Sequence, residues 1–490
     1  MTAQSVQADL VTVIGLEVHV QLETETKIFC SCSTEPAEEP NTSVCPVCLG
    51  LPGSLPVLNE AAVEAAVKIG KAIDADIPPE TRFHRKNYYY PDLPKNFQIT
   101  QYTDPICPDG ELAFAVDGER RSVAIERAHL EEDPGSLQHV GGSIDTADYT
   151  LVDYNRAGMP LVEIVTAPDF RSPGEVRAFL AALTEVLEYL GVFDADRDGS
   201  LRVDANLSIV EAEDGASIDE AALESANRTE VKNISSHRAA EQALAYEESR
   251  QRNAIQRGAE VEQETRHWDE TRGITVSMRS KEAEADYRYF PEADLPPLRV
   301  ADWKETLDIP ELPTARRERF VAEYGLGEEA ADKLTSTKQV ADFFEDVATR
   351  FDPDFAATWV ADELLGELNY RDMEIVDLEG RFGELERLLA LVDEEEITAK
   401  NAREIVLRGM LDDGDDPETI VDRKGLGKTD EEAVAAAVAT AIDENPEAVA
   451  DYEAGEDGAL NYLVGQVMQA TGGSADPGDV NGLLREALEE

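Results

Sequence analysis

The chain has 490 residues and a formal net charge of −59, from 103 acidic residues against 44 Lys and Arg. Because 42% of the residues are hydrophobic and the acidic residues are spread along the chain, this composition excludes a disordered chain or an acidic tail and is typical of a folded, halophilic protein. No apolar run approaches the roughly 18 residues of a membrane helix, and the N-terminus lacks a signal sequence, so we expect a cytoplasmic protein without a membrane partner.

Residues 13–22, VIGLEVHVQL, alternate apolar and polar side chains, which predicts a β-strand with one buried face. Glu17, His19 and Gln21 fall together on the polar face. A carboxylate, an imidazole and an amide are side-chain types that bind metal ions or phosphate. The strand alone is equally consistent with an edge strand whose polar face meets solvent, so other segments have to decide.

Four of the five cysteines form two close pairs, Cys30 with Cys32 and Cys45 with Cys48. In a cytoplasmic chain this spacing predicts a tetrahedral, structural zinc site. Redox-active or unreactive thiols remain alternatives. Cys107 stands apart, and we expect it to be a small buried residue.

The loop at residues 84–95, HRKNYYYPDLPK, is the most basic part of a lysine-poor chain. Arg85, Lys86 and Lys95 indicate an anionic ligand such as phosphate. The three tyrosines of this loop either pack in a core or stack on bases. Residues 279–289 form a second loop of this kind, which includes Arg279 and Arg288.

Several further segments carry ligand-type side chains in the alternating pattern of the first strand. Residues 200–209 place Arg202 on a polar face, residues 228–233 do the same with Lys232, and residues 129–135 concentrate acidic groups before a turn. Together they favour the wall of a shared cavity, and Mg²⁺ prefers oxygen ligands. The candidate magnesium ligands are Glu17, Glu132, Asp204 and Asn206, with His19 as a neighbour.

Only two helices are clear before residue 300. One covers residues 59–73 with Asn59 as the N-cap, and the other begins at Ser172, a capping residue followed by Pro173, and ends at about residue 190. From residue 303 onward the pattern is helical, and an Asp- and Gly-rich loop at 412–417 marks a boundary. The predicted fold class is therefore α+β. We predict a mixed-sheet domain over residues 1–300, an all-α domain over 301–410 and a small helical tail over 411–490.

These segments resemble GatB proteins of the aminoacyl-tRNA amidotransferases, the GatCAB complexes, in a haloarchaeal-like form. The match covers essentially the whole chain, with the motifs in family order: VIGLEVHVQL, FHRKNYYYPDLPKNFQITQY, AHLEEDPG, LVDYNRAGMPLVEIVTAPDFRSPGE, SLRVDANLSI, VKNISS, DYRYFPEADLPPL and LNYLVGQVMQAT. A related archaeal protein carries an extra inserted domain. No such insertion follows DYRYFPEADLPP, which favours GatB.

The resemblance implies a cradle-shaped first domain, a helical domain and a YqeY-like tail, with residues 335–490 together GatB/YqeY-like. It also implies an ATP- and Mg²⁺-dependent ligase that phosphorylates the side-chain carboxylate of Asp-tRNA(Asn) or Glu-tRNA(Gln). Ammonia from the amidase partner then replaces the phosphate. The implied partners are the amidase and the small third protein of the GatCAB heterotrimer, together with the mischarged tRNA, and DNA is not among them.

The resemblance further implies roles for individual residues. It places the magnesium ligands at Glu17, His19, Glu132 and Asp204, next to Asn206, and the basic catalytic residue at Lys86, with Glu17 and His19 also catalytic. The four clustered cysteines match the zinc ligands of some family members. The candidate phosphate- or substrate-binding cations are Arg85, Lys95, Arg202, Lys232, Arg279 and Arg288. A non-catalytic tRNA-binding scaffold and an independent metalloenzyme are the alternatives.

Overall fold

The computed structural model describes residues 9–141, 147–197, 199–212, 226–278, 287–427, 431–453, 456–472, 475 and 477–489. Contacts divide the chain into two units, Met1–Leu312 and Pro313–Glu490. The first combines sheets with helices and the second is helical in its described residues, so the predicted α+β fold class is confirmed.

The main sheet of the first unit is mixed, and the described part of the chain contributes eight strands to it, in the order β13–β12–β11–β10–β1–β9–β6–β5. Neighbours are antiparallel except β11 and β12. Smaller sheets have the orders β14–β3–β4, β15–β2 and β7–β8. The strands are β1 (Asp9–Gln21), β2 (Glu80–Thr81), β3 (His84–Asn87), β4 (Phe97–Thr100), β5 (Cys107–Val116), β6 (Glu119–Glu132), β7 (Ser136–Val140), β8 (Tyr149–Asp153), β9 (Pro160–Thr166), β10 (Leu201–Ala212), β11 (Thr229–Ile234), β12 (Glu264–Asp269), β13 (Ile274–Ser277), β14 (Phe290–Pro291) and β15 (Leu298–Arg299).

Both helices predicted before residue 300 are confirmed, with the predicted caps. The Asn59 side chain accepts a hydrogen bond from the amide of Ala61, and the Ser172 hydroxyl accepts one from the amide of Glu175. Each cap satisfies an amide that the first helical turn leaves unpaired. The helices in the described residues of the first unit are α1 (Glu60–Ala72), α2 (Pro173–Tyr189), α3 (His237–Gln256) and α4 (Ala301–Thr306).

The helix α3 escaped the sequence prediction. Its buried face consists of alanines, Leu244 and two polar residues, Glu247 and Gln251, so the apolar period is weak. Glu247 is fully buried because Arg250 and Arg266 pair with its carboxylate. Tertiary ion pairing therefore takes the place of apolar patterning on this helix.

β1 lies in the middle of the main sheet, between β9 and β10. The edge-strand alternative for residues 13–22 is therefore wrong. Leu16, Val18 and Val20 are at most 1% exposed and share one core with residues of α1, α2 and α3. Because strand side chains alternate between faces, Glu17 and His19 lie on the opposite, polar face.

The second unit has two cores, one containing residues 320–426 and one containing residues 434–484. The domain limits at 300 and 410 stay predictions. Two residues after position 300, Trp303 and Leu307, pack against the core of the first unit. Leu426, after position 410, belongs to the same core as Phe320. Within the described part, no helix is both long and apolar enough to cross a bilayer. The helices are α5 (Pro313–Tyr324), α6 (Glu328–Leu334), α7 (Lys338–Ala348), α8 (Pro353–Ala357), a π-helical segment (Thr358–Leu364), α9 (Leu365–Tyr370), a 3₁₀ segment (Ile375–Arg381), α10 (Phe382–Asp393), α11 (Ala399–Asn401), a second π-helical segment (Ala402–Leu407), α12 (Arg408–Asp413), α13 (Pro417–Lys424), α14 (Glu431–Glu444), α15 (Pro446–Glu453), α16 (Asp457–Ala470) and α17 (Pro477–Glu489).

Candidate active site on the polar face of the main sheet

The register of the central strands brings distant polar residues side by side. His19 on β1 lies opposite Glu163 on β9 and Arg202 on β10. Glu17 lies opposite Asp204. Because paired residues of adjacent strands project from the same face, their side chains form one polar surface.

His19, Glu131 and Glu163 form the tightest group on this surface, and we call these three residues the acidic group. One ligand atom from each lies within 4.8 Å of the other two, and His19 Nδ1 is 3.1 Å from Glu131 Oε1. Both carboxylates are almost completely buried. Two buried carboxylates beside an imidazole are costly unless a positive charge lies between them, so this donor set fits a hard divalent cation such as Mg²⁺.

Burial and neighbouring charges shift the pKa values of this group in opposite directions. Burial works against a charged His19, but its hydrogen bond to Glu131 and the charges of Glu131 and Glu163 raise the pKa of the imidazole to about 9. Burial also opposes the charge of Glu163, yet His129, His19 and Lys86 lower the pKa of its carboxyl to about 2. The charges of His19 and Glu163 therefore stabilise each other.

Glu17 and Asp204 flank this group on the side of β10. The side-chain amide of Asn206 donates to Glu17 Oε1 at 3.3 Å. Burial, together with the charge of Glu163, raises the pKa of Glu17. Lys232 Nζ lies 2.6 Å from Asp204 Oδ2, so the ammonium of Lys232 neutralises the negative charge of Asp204. The predicted residues Glu17, His19, Asp204, Asn206 and Lys232 are thus brought together on one surface.

Lys86 reaches the same surface from the three-stranded sheet. Burial disfavours its charge, but the carboxylates of Glu131 and Glu163 raise the pKa of its amine. The ammonium lies 5.1 Å from the centre of the Tyr287 ring. Lys86 is therefore a cation held beside the acidic group, as expected of a residue that binds phosphate.

Glu132, predicted as a magnesium ligand, is not part of this surface. Its carboxylate contacts Lys95 Nζ and accepts a 2.8 Å hydrogen bond from the amide of Ile99. The neighbouring Glu131 points to the site instead, because adjacent residues of β6 face opposite sides. The available sequence signal for Glu131 was its position two residues after His129, which places both on one face of β6 but does not show that this face meets the site. Glu163 had a weaker signal: one carboxylate in the apolar strand PLVEIVT.

Two of the predicted anion-binding residues, Arg85 and Lys95, form ion pairs within the fold. Arg85 makes a two-pronged contact with Glu292 at 2.6 and 2.7 Å and lies 4.3 Å over the Phe97 ring. It lies on the face of β3 opposite Lys86. Lys95 holds Glu132. These two side chains are already neutralised, and the structure does not bring them to the acidic group.

The other predicted cations occupy different positions. Arg202 stays at the site, where Asp133 holds its guanidinium at 2.6 Å. Arg288 is exposed, and its backbone carbonyl accepts a hydrogen bond from the Asn87 side chain. Arg279 lies outside the described residues.

Cys30, Cys32, Cys45 and Cys48, which are two separate pairs in the sequence, form one group in the structure. Their sulfur atoms all lie within 4.8 Å of one another, and Cys45 and Cys48 are 3.9 Å apart, so they are free thiols and not disulfides. Four sulfurs at this separation fit a tetrahedral zinc ion. Beside them Lys27 is fully buried, and its ammonium donates to the carbonyl of Ser43 at 2.8 Å. Cys107 is buried alone, as predicted.

A cavity of about 520 Å³ adjoins the acidic group. Its lining includes Gly15, Glu17, Arg127, Asn206 and Arg228. Since Glu17 and Asn206 belong to both the cavity and the polar surface, a small ligand here would reach the metal-binding side chains. This volume is within the usual range for small-molecule and cofactor sites.

Comparison with known sequences assigns the chain to a family. A sequence model of the GatB/GatE catalytic domain matches residues 12–305, and a model of the GatB domain matches residues 342–488. The chain belongs to the GatB family. It is 76% identical to the GatB protein of the aspartyl/glutamyl-tRNA(Asn/Gln) amidotransferase of Natronomonas pharaonis and 73% identical to that of Haloarcula marismortui, in each case over all of both proteins. The corresponding protein of Methanospirillum hungatei is 53% identical over 98% of this chain and 99% of its own.

The predicted resemblance to GatB is therefore confirmed. The first match spans β1 through α4, so the polar surface and the cysteine group both lie in the GatB/GatE catalytic domain. Two of these relatives come from haloarchaea, which agrees with the adaptation to salt predicted from the charge of −59.

Proposed function

We propose that this GatB chain is the carboxylate-activating component of a tRNA-dependent amidotransferase, a ligase that converts Asp-tRNA(Asn) or Glu-tRNA(Gln) to the amide form. A side-chain carboxylate oxygen of the aminoacyl group attacks the γ-phosphorus of ATP, and ADP leaves. The product of this step is an acyl phosphate. Ammonia then attacks its acyl carbon, the bond between that carbon and the phosphate oxygen breaks, and inorganic phosphate leaves while the nitrogen loses a proton to form the amide. The observation that carries the proposal is the His19, Glu131 and Glu163 group with Lys86 beside it.

Each side chain has a role in this proposal. His19, Glu131 and Glu163 would hold Mg²⁺, and the bound ion would supply positive charge to neutralise the phosphates. Glu17 and Asp204 lie beside the proposed metal position, towards β10. Lys86 offsets the negative charge that develops on the transferred phosphoryl group. ATP enters through the cavity at Glu17 and Asn206, and Arg202 contacts the substrate carboxylate or phosphate.

The remaining requirements come from partners. The proposed source of ammonia is an amidase partner. A further small protein completes the heterotrimer, which binds the mischarged tRNA. We propose that the complex works in the cytoplasm. The cysteine group binds zinc for stability and takes no part in the reaction.

The test is amidation by the reconstituted complex at high KCl, with both mischarged tRNAs and ATP. Glu163→Gln and Lys86→Met should each lower the amidation rate about 10²- to 10³-fold, the usual cost of one electrostatic contact to a transition state. Glutaminase activity of the amidase partner serves as an internal control for assembly. Glu119→Gln is the matched control, because Glu119 is an exposed carboxylate at the far end of β6.

Unchanged amidation in both site variants would contradict the catalytic assignment and leave a tRNA-binding scaffold. Activity of the isolated chain that disappears with Cys45→Ser in a folded protein would instead support the independent metalloenzyme.

A further inference from the structure

Four tyrosines form a continuous aromatic group next to Lys86. Tyr102 and Tyr289 stack in parallel, with ring centres 4.0 Å apart and planes at 3°. Tyr287 lies edge-on to Tyr289 at 6.1 Å and to Tyr88 at 5.9 Å. We call Tyr88, Tyr102, Tyr287 and Tyr289 the tyrosine cluster.

The cluster and the acidic group meet at one side chain. The Lys86 ammonium is 5.1 Å from the Tyr287 ring centre and 5.9 Å from that of Tyr88. The charges of Glu131 and Glu163 act on the same ammonium. A ligand whose reacting end lies at Lys86 would therefore place its adjoining part on the tyrosine rings.

Part of the cluster is open to solvent. Tyr102 is 50% exposed and Tyr287 is 37% exposed. Buried aromatic packing alone would not leave these rings so accessible, and exposed aromatic rings are the usual platforms for unpaired bases. The cavity of about 520 Å³ lies at Glu17, Arg127 and Arg228, lined by other residues, so ATP has a separate place to bind.

We propose that the tyrosine cluster is a stacking platform for the terminal adenine of the mischarged tRNA. This inference rests on the proposed function, because the amino acid to be modified is esterified to the ribose of that nucleotide. Stacking on Tyr102 and Tyr289 sets the terminal base, and the ester then directs the side-chain carboxylate towards Lys86. The four tyrosines thus act as binding residues for the single-stranded end.

The charge of the chain supports this type of recognition. At a net charge of −59 the protein repels a polyanion, and counterion release yields little affinity in concentrated salt. Base–aromatic stacking is much less sensitive to salt than an exposed ion pair. The platform supplies affinity that phosphate contacts cannot.

The test uses the reconstituted complex and a tRNA whose terminal adenine is replaced by 2-aminopurine, a base that loses fluorescence when stacked. We expect quenching on binding to the wild type, without ATP, and loss of this quenching in Tyr102→Leu and Tyr289→Leu. The KM for mischarged tRNA should rise by about fivefold or more, from the usual energy of one stacked base, while the KM for ATP stays unchanged.

Two matched variants separate stacking from packing. Tyr102→Phe keeps the ring and should retain quenching. Tyr149→Leu removes an exposed tyrosine of β8, outside the cluster, and should behave as the wild type. A raised KM for ATP with unchanged tRNA binding would overturn the inference in favour of the adenine of ATP. Unchanged quenching in both leucine variants would reduce the cluster to packing. Because quenching needs no turnover, failure of the proposed reaction is seen separately as absent amidation by the wild type.

Discussion

Magnesium binding to the His19 group should release a proton and depend steeply on pH. Without metal, Glu131 and its neighbours raise the pKa of His19 to about 9, although burial opposes this shift. A metal ion binds only the neutral imidazole. At pH 7, two units lower, about 1% of the imidazole is neutral, so the apparent affinity should be about 100-fold, or about 2.7 kcal/mol, weaker than above pH 9.

Calorimetric titration with Mg²⁺ at constant ionic strength measures this directly. The apparent affinity should rise about tenfold per pH unit between pH 7 and 8.5 and level off above 9. Titration at pH 7 in buffers of different ionisation enthalpy should report close to one proton released per ion. His19→Asn should remove the proton release. An affinity independent of pH in the wild type, or a steep dependence that survives in His19→Asn, would refute the reasoning.

Two further predictions concern Glu131 with Glu132, and Lys27 beside the cysteine group. Glu132→Gln breaks a buried ion pair with Lys95 and should lower the free energy of unfolding by about 3 kcal/mol in denaturant titrations. Glu131→Gln should instead weaken Mg²⁺ binding. The opposite pattern would mean that Glu132 is the ligand. Lys27→Met removes a fully buried ammonium beside the four cysteine sulfurs. Because this charge would compensate the thiolates that zinc requires, the variant should lose zinc faster to a colorimetric chelator, with Lys68→Met, on α1, as the control. Equal rates of zinc loss from both variants would exclude charge compensation by Lys27.

The sequence predicted those features of the site that depend on local patterns. Alternation along residues 13–22 places Glu17 and His19 on one face, and the same pattern in residues 200–209 groups Asp204 with Asn206. Two close cysteine pairs indicated the sulfur group. Ser172 and Asn59 marked helix starts. In each case the spacing along the chain determines the geometry, because strand and helix periods are local properties of the backbone.

Only the tertiary structure decided which partners these residues meet. Glu163 reaches His19 because β9 pairs with β1, a contact between positions far apart in the chain. Glu131 rather than Glu132 faces the site because β6 is one long strand up to Glu132, and only its packing shows which side is the core. Arg85 and Lys95 are occupied by Glu292 and Glu132. Local sequence does not encode strand order or ion pairing across the fold, and these two features determine which charges remain available for the reaction.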